Sequence, residues 1–313
     1  MAVEPRLLLI SPVRNEGAHI ERVARAVAAQ ETPPRRWIVI DDQSNDDTLL
    51  TLRALEREIP FLRVASNPRP APPARDRLAM AAAPRTFNAG LGLAPGTGFT
   101  HIMKLDGDIE LPPTYLTSLF ERFARNPMLG IAGCALVEPD RDGRERMIPI
   151  PPSHVHGAVK CYSAACFEAI GGVREQLGWD TIDEVYARMR GFDARTFHEL
   201  VATHHRPIGS ADGTLRGRAR HGTCAWIVHQ PPSWVALRSL KLARSRPVGL
   251  SGAAFLFGYA RAAAHRVERV PDADFRSAVH RELRGRVRSA ARVRWGARPG
   301  VVGATPSKGK VMT

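Results

Sequence analysis

The chain has 313 residues, 44% of them hydrophobic and 24% charged, which excludes collagen-like, disulfide-dense and wholly disordered classes and leaves enough apolar material for a sizeable core. Its charge is lopsided. Against 31 Asp and Glu stand 45 Lys and Arg, a net of +14, and residues 235–313 alone hold 17 basic and 4 acidic side chains. The first 234 residues therefore read as a near-neutral globular unit followed by a basic arm, which suits an anionic surface, either a membrane leaflet or nucleic acid.

In chain order, residues 6–11 are a compact apolar run suited to a buried parallel strand. Residues 18–30, with Ala18, Val23, Ala26 and Val27 on one face, predict a helix. A second strand at 37–40 ends in Asp41-Asp42, a second helix at 48–59 carries Leu49, Leu50, Leu52 and Leu55, and a third strand covers 62–65. Residues 67–75 hold four prolines and predict a surface loop. A helix at 78–93, a strand at 101–105, a helix at 114–125 opened by Pro112-Pro113 and a strand at 130–136 follow. This alternation predicts an α/β fold with a doubly wound, mostly parallel sheet. Beyond Pro139 the pattern loosens, predicting a mixed half that holds a second substrate. Residues 276–298 are helical in period and strongly basic, and 307–313 are expected to be disordered.

Cys134, Cys161, Cys166 and Cys224 lack metal-binding spacing and are expected to be unpaired buried thiols of a reducing cytoplasm. The apolar run 7–10 is too short for a secretory leader, and no run of about 18 uncharged apolar residues predicts a membrane span. The stretch 248–260, between Arg246 and Arg261, predicts a buried or interfacial helix.

In doubly wound sheets, ligands bind outside the carboxyl ends of the strands. Three polar clusters fall there: Pro12-Val13-Arg14-Asn15-Glu16, the acidic run from Asp41 to Thr48, and Asp106-Gly107-Asp108. One acidic turn after a strand is ordinarily a helix cap, a role that suits Asp47, but three on one edge predict a shared site. Asp106 and Asp108, separated by glycine, can offer oxygen ligands to one hard cation, Mn²⁺ or Mg²⁺, that also holds phosphate oxygens. No Walker A loop and no GxGxxG precedes a helix, so an ordinary P-loop or dinucleotide site is excluded.

The ordered series SPVRNE (11–16), VIDDQSNDDT (39–48), RTFNAGLGLAPG (85–96) and MKLDGDIELPP (103–113) resembles the family 2 inverting glycosyltransferases of GT-A fold, over about residues 5–222. The resemblance implies transfer of a sugar from a nucleoside-diphosphate donor, with UDP the expected carrier, to an acceptor hydroxyl. It implies that Pro12, Arg14 and Glu16 flank the nucleotide, that Asp42 and Ser44 lie near the base or ribose, and that Arg85 and Asn88 lie on a donor-side helix near the phosphates. Lys104 and Asp106 would lie toward the ribose, and Asp106 and Asp108 toward the metal, with Asp108 the ligand proper. The implied catalytic domain covers 1–225, with a nucleotide-sugar half to about 137 and an acceptor half beyond it. A basic, partly amphipathic helical segment at 226–313 completes the chain.

The family also carries an acidic pair, usually Glu-Asp, after a Gly-Gly and before an Arg-containing helix. This chain departs from that pattern with Gly171-Gly172, then Asp180-Thr181-Ile182-Asp183-Glu184, then Arg188 and Gly191. Counting forward from Gly172 puts the general base at Asp183, and counting back from Gly191 puts it at Asp180. Both stay open, as does a plain helix-opening role. In the implied mechanism that base takes the acceptor proton while the diphosphate leaves from the opposite face, so the anomeric centre inverts without a covalent intermediate.

One of His204, His205 or His221 is a candidate further metal ligand, against the plainer reading of hydrogen-bonded histidines. Residues 204–222, rich in Gly and Arg, read either as a loop closing over the diphosphate through Arg216, Arg218 or Arg220 or as a solvated basic loop. In the tail, Trp226, Trp234, Leu237, Leu240 and Leu242 beside Arg238, Lys241 and Arg244 suit a helix in an anionic bilayer interface. Nucleic acid is the weaker partner, since no zinc finger, RNP motif or helix-turn-helix pattern occurs. The expectation is a cytoplasmic enzyme, peripheral on the inner face of the membrane, with a lipid-linked or cell-surface glycan acceptor. Without QxxRW or several spans, a processive synthase is disfavoured. Two rivals remain: a sugar nucleotidyltransferase, for which residues 11–17 lack the needed Gly-rich basic loop, and a non-catalytic adaptor that binds anionic surfaces through its tail.

Overall fold

The computed structural model describes residues 4–69, 80–94, 96, 98–139, 144–206 and 213–296. The first half alternates as β1 (Leu7–Val13), α1 (Ile20–Ala28), β2 (Arg36–Asp41), α2 (Thr48–Glu58), β3 (Leu62–Ser66), α3 (Ala82–Gly92), β4 (His101–Leu105), β5 (Ile109–Glu110) and α4 (Tyr115–Arg125). The second half holds β6 (Leu129–Pro139), β7 (Glu145–Met147), β8 (Val159–Ser163), α5 (Ala164–Ala169), α6 (Trp179–Met189) and β9 (Asp193–His204). Four helices close the chain: α7 (Thr214–Ile227), α8 (Pro232–Leu242), α9 (Leu250–Ala264) and α10 (Ala273–Gly296).

The strands form one sheet in the order β3-β2-β1-β4-β8-β6-β9-β5, with β7 on β6. β1 to β4 run parallel, whereas β8 is antiparallel to both β4 and β6 and β5 is antiparallel to β9. The chain winds outward from β1 to β3 and then returns to lay β4 on the other side of β1. That reversal is the topological switch point, where open α/β sheets bind ligands outside the carboxyl ends of their strands. β1 pairs with β4 only as far as Ile10 but with β2 as far as Val13. Pro12 therefore lies past the last β4 pair, where its missing N–H costs no ladder bond on that side.

Alternate residues of β1 and β2 feed opposite faces of the sheet. Leu7, Leu9, Trp37 and Val39 pack with α1, α2 and α4. Leu8, Ile10, Ile38 and Ile40 pack with α3, α5, α6 and, through Phe275 and Val279, α10. Helices α7 and α9 cross backbone to backbone. A Cβ on Gly222 would sit 2.0 Å from the Phe255 carbonyl oxygen, and one on Gly258 1.8 Å from that of Ala219. Only glycine fits either position.

The expected α/β sheet and mixed second half are present. The expected basic loop at 204–222 is corrected: β9 continues through His204, and α7 begins at Thr214. The expected boundary between 225 and 226 falls within α7. Part of the proline-rich loop, the start of the helix expected from 78 and the disorder expected at 307–313 lie outside the described residues. The four cysteines are free, three of them buried. Among the described residues no helix is long and apolar enough to cross a membrane.

Candidate active site

The loops that leave β1 and β2 are zipped together. Asn15 and Gln43 hold left-handed backbone, at φ 54° and 62°, a conformation that costs non-glycine residues on the order of 1 kcal/mol and persists where neighbouring bonds fix it. The fixing bonds are explicit. Asn15 N–H donates to Ser44 Oγ at 2.9 Å, Asn45 N–H to Asn15 Oδ1 at 2.9 Å, Glu16 N–H to Thr48 Oγ1 at 2.7 Å and Gly17 N–H to Asp46 Oδ2 at 3.1 Å. Arg14 Nη1 donates to the Asp42 carbonyl oxygen at 2.6 Å, and buried Asp42 accepts from Asn67 Nδ2 at 2.7 Å. Asp47 stands at the N-cap of α2 but makes no capping bond; Asp46 accepts the Thr48 N–H at 3.1 Å instead.

The turn after β4 touches this loop pair. A Cβ on Gly107 would lie 2.8 Å from Val13 Cγ1 and 2.9 Å from Glu16 Cγ, so a glycine must separate Asp106 from Asp108. Asp106 accepts from Lys104, whose buried ammonium also donates to the Gly157 carbonyl oxygen at 2.8 Å. Buried Asp108 lies 3.5 Å from His204 Nε2 and 3.9 Å from Arg206 Nε. His204 Nδ1 in turn meets Glu138 at 2.9 Å, and Arg206 Nη2 donates to Glu16 at 2.5 Å. Burial, then the charge of Asp108, pushes the Glu16 carboxyl up to about 8 against the pull of Arg206. Burial works the same way on Asp108, but the hydrogen bond and charge of His204, with Arg206, hold it below its usual value.

Of the three histidines considered as a further ligand, His204 is the one beside Asp108; His205 pairs with Glu110 at 2.7 Å, and His221 belongs to α7. Among the described residues no three His, Cys, Asp or Glu side chains close around a single point. While the Asp106 carboxylate is held by Lys104, Asp108 could offer a carboxylate oxygen and His204 an imidazole nitrogen to a cation. Such a pair fits an open site whose other ligands come from diphosphate oxygens and water rather than a closed structural one.

Helix α6 follows an N-cap at Gly178 (φ 86°). Trp179 lies against two ammonium groups, 5.7 Å from Lys104 Nζ and 5.5 Å from Lys160 Nζ. The two acidic candidates have different surroundings. Asp180 is half-buried in the first turn of α6. Asp183 is buried, accepting from Tyr162 Oη at 2.5 Å and from Lys160 Nζ at 3.1 Å. Lys160 also reaches Glu184 at 3.2 Å and the Asp180 carbonyl oxygen at 2.6 Å, while Glu184 accepts from Val155 N–H at 2.7 Å. Burial raises the Asp183 carboxyl with Lys160 opposing, whereas Lys160 and His154 overcome burial and hold Glu184 low.

Pro12, Arg14, Glu16, Asp42, Ser44, Lys104, Asp106 and Asp108 thus gather at one edge. The Ser44 hydroxyl and the Lys104 ammonium are engaged in holding that edge together. Arg85 is half-buried on α3, and Asn88 donates to the Val173 carbonyl oxygen at 2.8 Å, tying α3 to the loop before α6. Sequence reasoning missed Lys160, Trp179 and Arg206. For Lys160 there was a signal, a lysine inside an otherwise buried strand.

Carboxylates gathered at the switch point of a doubly wound sheet stand where open α/β sheets bind their ligands. Residues 9–167 match Glycosyl transferase family 2, and the chain belongs to that family. A search of curated proteins gives no match. Among solved structures the chain is similar to the mannosyltransferase PcManGT from Pyrobaculum calidifontis in complex with GDP-Man and Mn²⁺, at 18% identity and a TM-score of 0.53, over 95% of this chain and 89% of that one. It is also similar to S. aureus TarS 1–349, at 12% identity and a TM-score of 0.51, over 82% of this chain and 70% of that one. The same TarS fragment in complex with UDP gives 13% identity and a TM-score of 0.50, over 82% and 71%. The fold is GT-A, and the protein is a glycosyltransferase.

Proposed function

We propose that the protein is a metal-dependent, inverting glycosyltransferase that moves a sugar from a nucleoside-diphosphate donor to a hydroxyl of a lipid-linked or cell-surface glycan. The observation that carries this reading is the pairing of Asp108 with His204, 3.5 Å apart at the carboxyl edge of the sheet, with the half-buried Asp180 at the head of α6. The solved structures of similar fold in complex with GDP-Man and Mn²⁺ or with UDP support the donor class and the ion; UDP is the first carrier to test.

Asp108 and His204 would hold Mn²⁺ or Mg²⁺. The bound ion would offset the negative charge that develops on the leaving diphosphate. Arg14 and Asp42 shape the base and ribose end, and Arg206, bound to Glu16 at 2.5 Å, supplies a cation beside the diphosphate. Asp180 takes the proton from the acceptor hydroxyl as that oxygen attacks the anomeric carbon, and attack opposite the leaving group inverts it. Asp183 is a positioning residue, since its carboxylate is already engaged by Tyr162 and Lys160. Attachment to an anionic membrane is supported by the stretch from Thr214 to Val267, which holds nine Arg and Lys and no carboxylate.

Release of nucleoside diphosphate from UDP- or GDP-sugars, with water as acceptor, tests the assignment. Asp108→Ala and Asp180→Asn should each lower turnover at least about a hundredfold. Turnover at the wild-type rate in Asp108→Ala would remove the metal role, and the same in Asp180→Asn would return the base to Asp183.

A further inference from the structure

A cavity of about 510 Å³ lies between α3, the loop that leads into α6, and helices α7 and α9. Four arginines from three elements border it: Arg85 of α3, Arg216 and Arg220 of α7, and Arg261 of α9. Two acids also border it, Glu175 and Glu268, and Glu175 is held by Arg69 at 2.5 Å, so the lining is net positive. Leu177 and Phe257 give it apolar surface. Glu16, Asp106 and Asp108 do not border it, so it is separate from the edge that Asp108 and His204 share.

Phe257 connects this cavity with the outside. On α9, Leu250, Phe257 and Arg261 are spaced by seven and four residues and fall on one stripe. Leu250 is 56% and Phe257 61% exposed. The stripe starts at the turn from α8, where Leu240 and Val248 stand 67% and 71% exposed among the exposed cations Lys241, Arg244 and Arg246. An apolar strip with cationic margins therefore runs from that turn to the arginine-lined cavity. Its far side leads to chemistry, since the loop bearing Leu177 continues through Gly178 into Trp179 and Asp180.

We infer that this cavity binds the phosphate or diphosphate of an amphipathic acceptor whose hydrocarbon chain lies along the Leu250–Phe257 stripe, as it would when drawn from an anionic bilayer. Guanidinium groups match phosphate oxygens in a forked geometry that a lone ammonium lacks. The volume is in the range of small-molecule sites, enough for a diphosphate and an adjoining sugar. An apolar stripe that ends in an arginine asks for a ligand with a hydrocarbon part and an anionic head, which a free nucleotide does not offer. The inference rests on the glycosyltransferase reading for the role of the ligand as acceptor, and on the cavity alone for its chemistry.

The full chain should bind dodecyl phosphate more tightly than inorganic pyrophosphate, and should sediment with phosphatidylcholine vesicles only when they contain phosphatidic acid. Arg261→Glu, at an exposed position, should weaken dodecyl phosphate at least about tenfold while Mn²⁺-dependent UDP or GDP binding stays at the wild-type value. Arg261→Lys should recover part of the loss, and Phe257→Ser should weaken dodecyl phosphate but not pyrophosphate. Unchanged dodecyl phosphate affinity in Arg261→Glu overturns the inference, and so does equal affinity of the wild type for dodecyl phosphate and pyrophosphate. Joint loss of nucleotide and dodecyl phosphate in that variant assigns the cavity to the donor and also overturns it. A wild type that binds no nucleotide with Mn²⁺ defeats the donor reading instead, and the effect of Arg261→Glu on dodecyl phosphate still decides the cavity.

Discussion

Lys160 is the residue on which the acidic cluster of α6 is built, and Lys160→Met tests that. Its ammonium is fully buried and lies 3.1 Å from Asp183, 3.2 Å from Glu184 and 2.6 Å from the Asp180 carbonyl oxygen. Methionine keeps the length of the side chain and removes the charge. Both carboxylates then stay buried, with Tyr162 and the Val155 N–H as partial compensation. Removing one partner of a buried ion pair costs about 3–5 kcal/mol, because the remaining charge is left uncompensated. At roughly 2–4 °C per kcal/mol for a domain somewhat smaller than this chain, Tm should fall on the order of 10 °C. The loss should shrink in mild acid, where the orphaned carboxylates take up protons. Adding Asp183→Asn to Lys160→Met should recover part of the lost Tm at neutral pH. Thermal unfolding by circular dichroism reads all of these, and a Lys160→Met variant that melts within 2–3 °C of wild type at neutral pH (about 1 kcal/mol) would refute the network.

Three further outcomes are expected. Gly107→Ala puts a methyl group 2.8 Å from Val13 Cγ1, so Mn²⁺-dependent nucleotide binding should weaken at least about tenfold with little change in secondary structure; equal affinity by titration calorimetry would deny the close contact. Gly258→Val forces α9 off α7, where even a Cβ would meet the Ala219 carbonyl oxygen at 1.8 Å, and should cost about 3 kcal/mol or more in urea unfolding. His101 lies 5.0 Å from the Phe120 ring and 4.7 Å from that of Phe123, and burial pushes it from 6.5 to about 4. Its folded value lies below its unfolded one, so the associated stability is present above pH 6.5 and is lost as pH falls toward 4. That loss is at most about 3 kcal/mol. His101→Phe should flatten stability over that window, and an unchanged pH profile would show that the ring is not held neutral.

The parallel half of the fold was legible because its strands are continuous apolar runs and its helices carry one apolar face, so period and run length alone separate them. The site edge followed from the same alternation, which puts Arg14, Asp42 and Asp106 directly after strands. The mixed half was less legible. β8 is a short strand interrupted by Lys160, and that lysine makes sense only once α6 lays Asp183 and Glu184 over it. Distances along the chain could not separate Asp180 from Asp183, because both lie on α6 and differ in burial, a property of packing. The basic segment after His204 reads as a loop for a related reason. α7 has little apolar periodicity of its own and owes its packing to Gly222 meeting α9, residues far apart in sequence.

The most direct test of the central claim is a thermal-shift panel of UDP, GDP, dTDP and CDP, each with and without Mn²⁺, on the wild-type protein and Asp108→Ala. A ligand that binds only the folded state raises Tm by mass action. The expected result is stabilisation by one nucleotide that requires Mn²⁺ and disappears in Asp108→Ala. A shift of equal size without the metal, or one that survives in Asp108→Ala, would contradict a metal-assisted nucleotide-sugar site at this edge of the sheet.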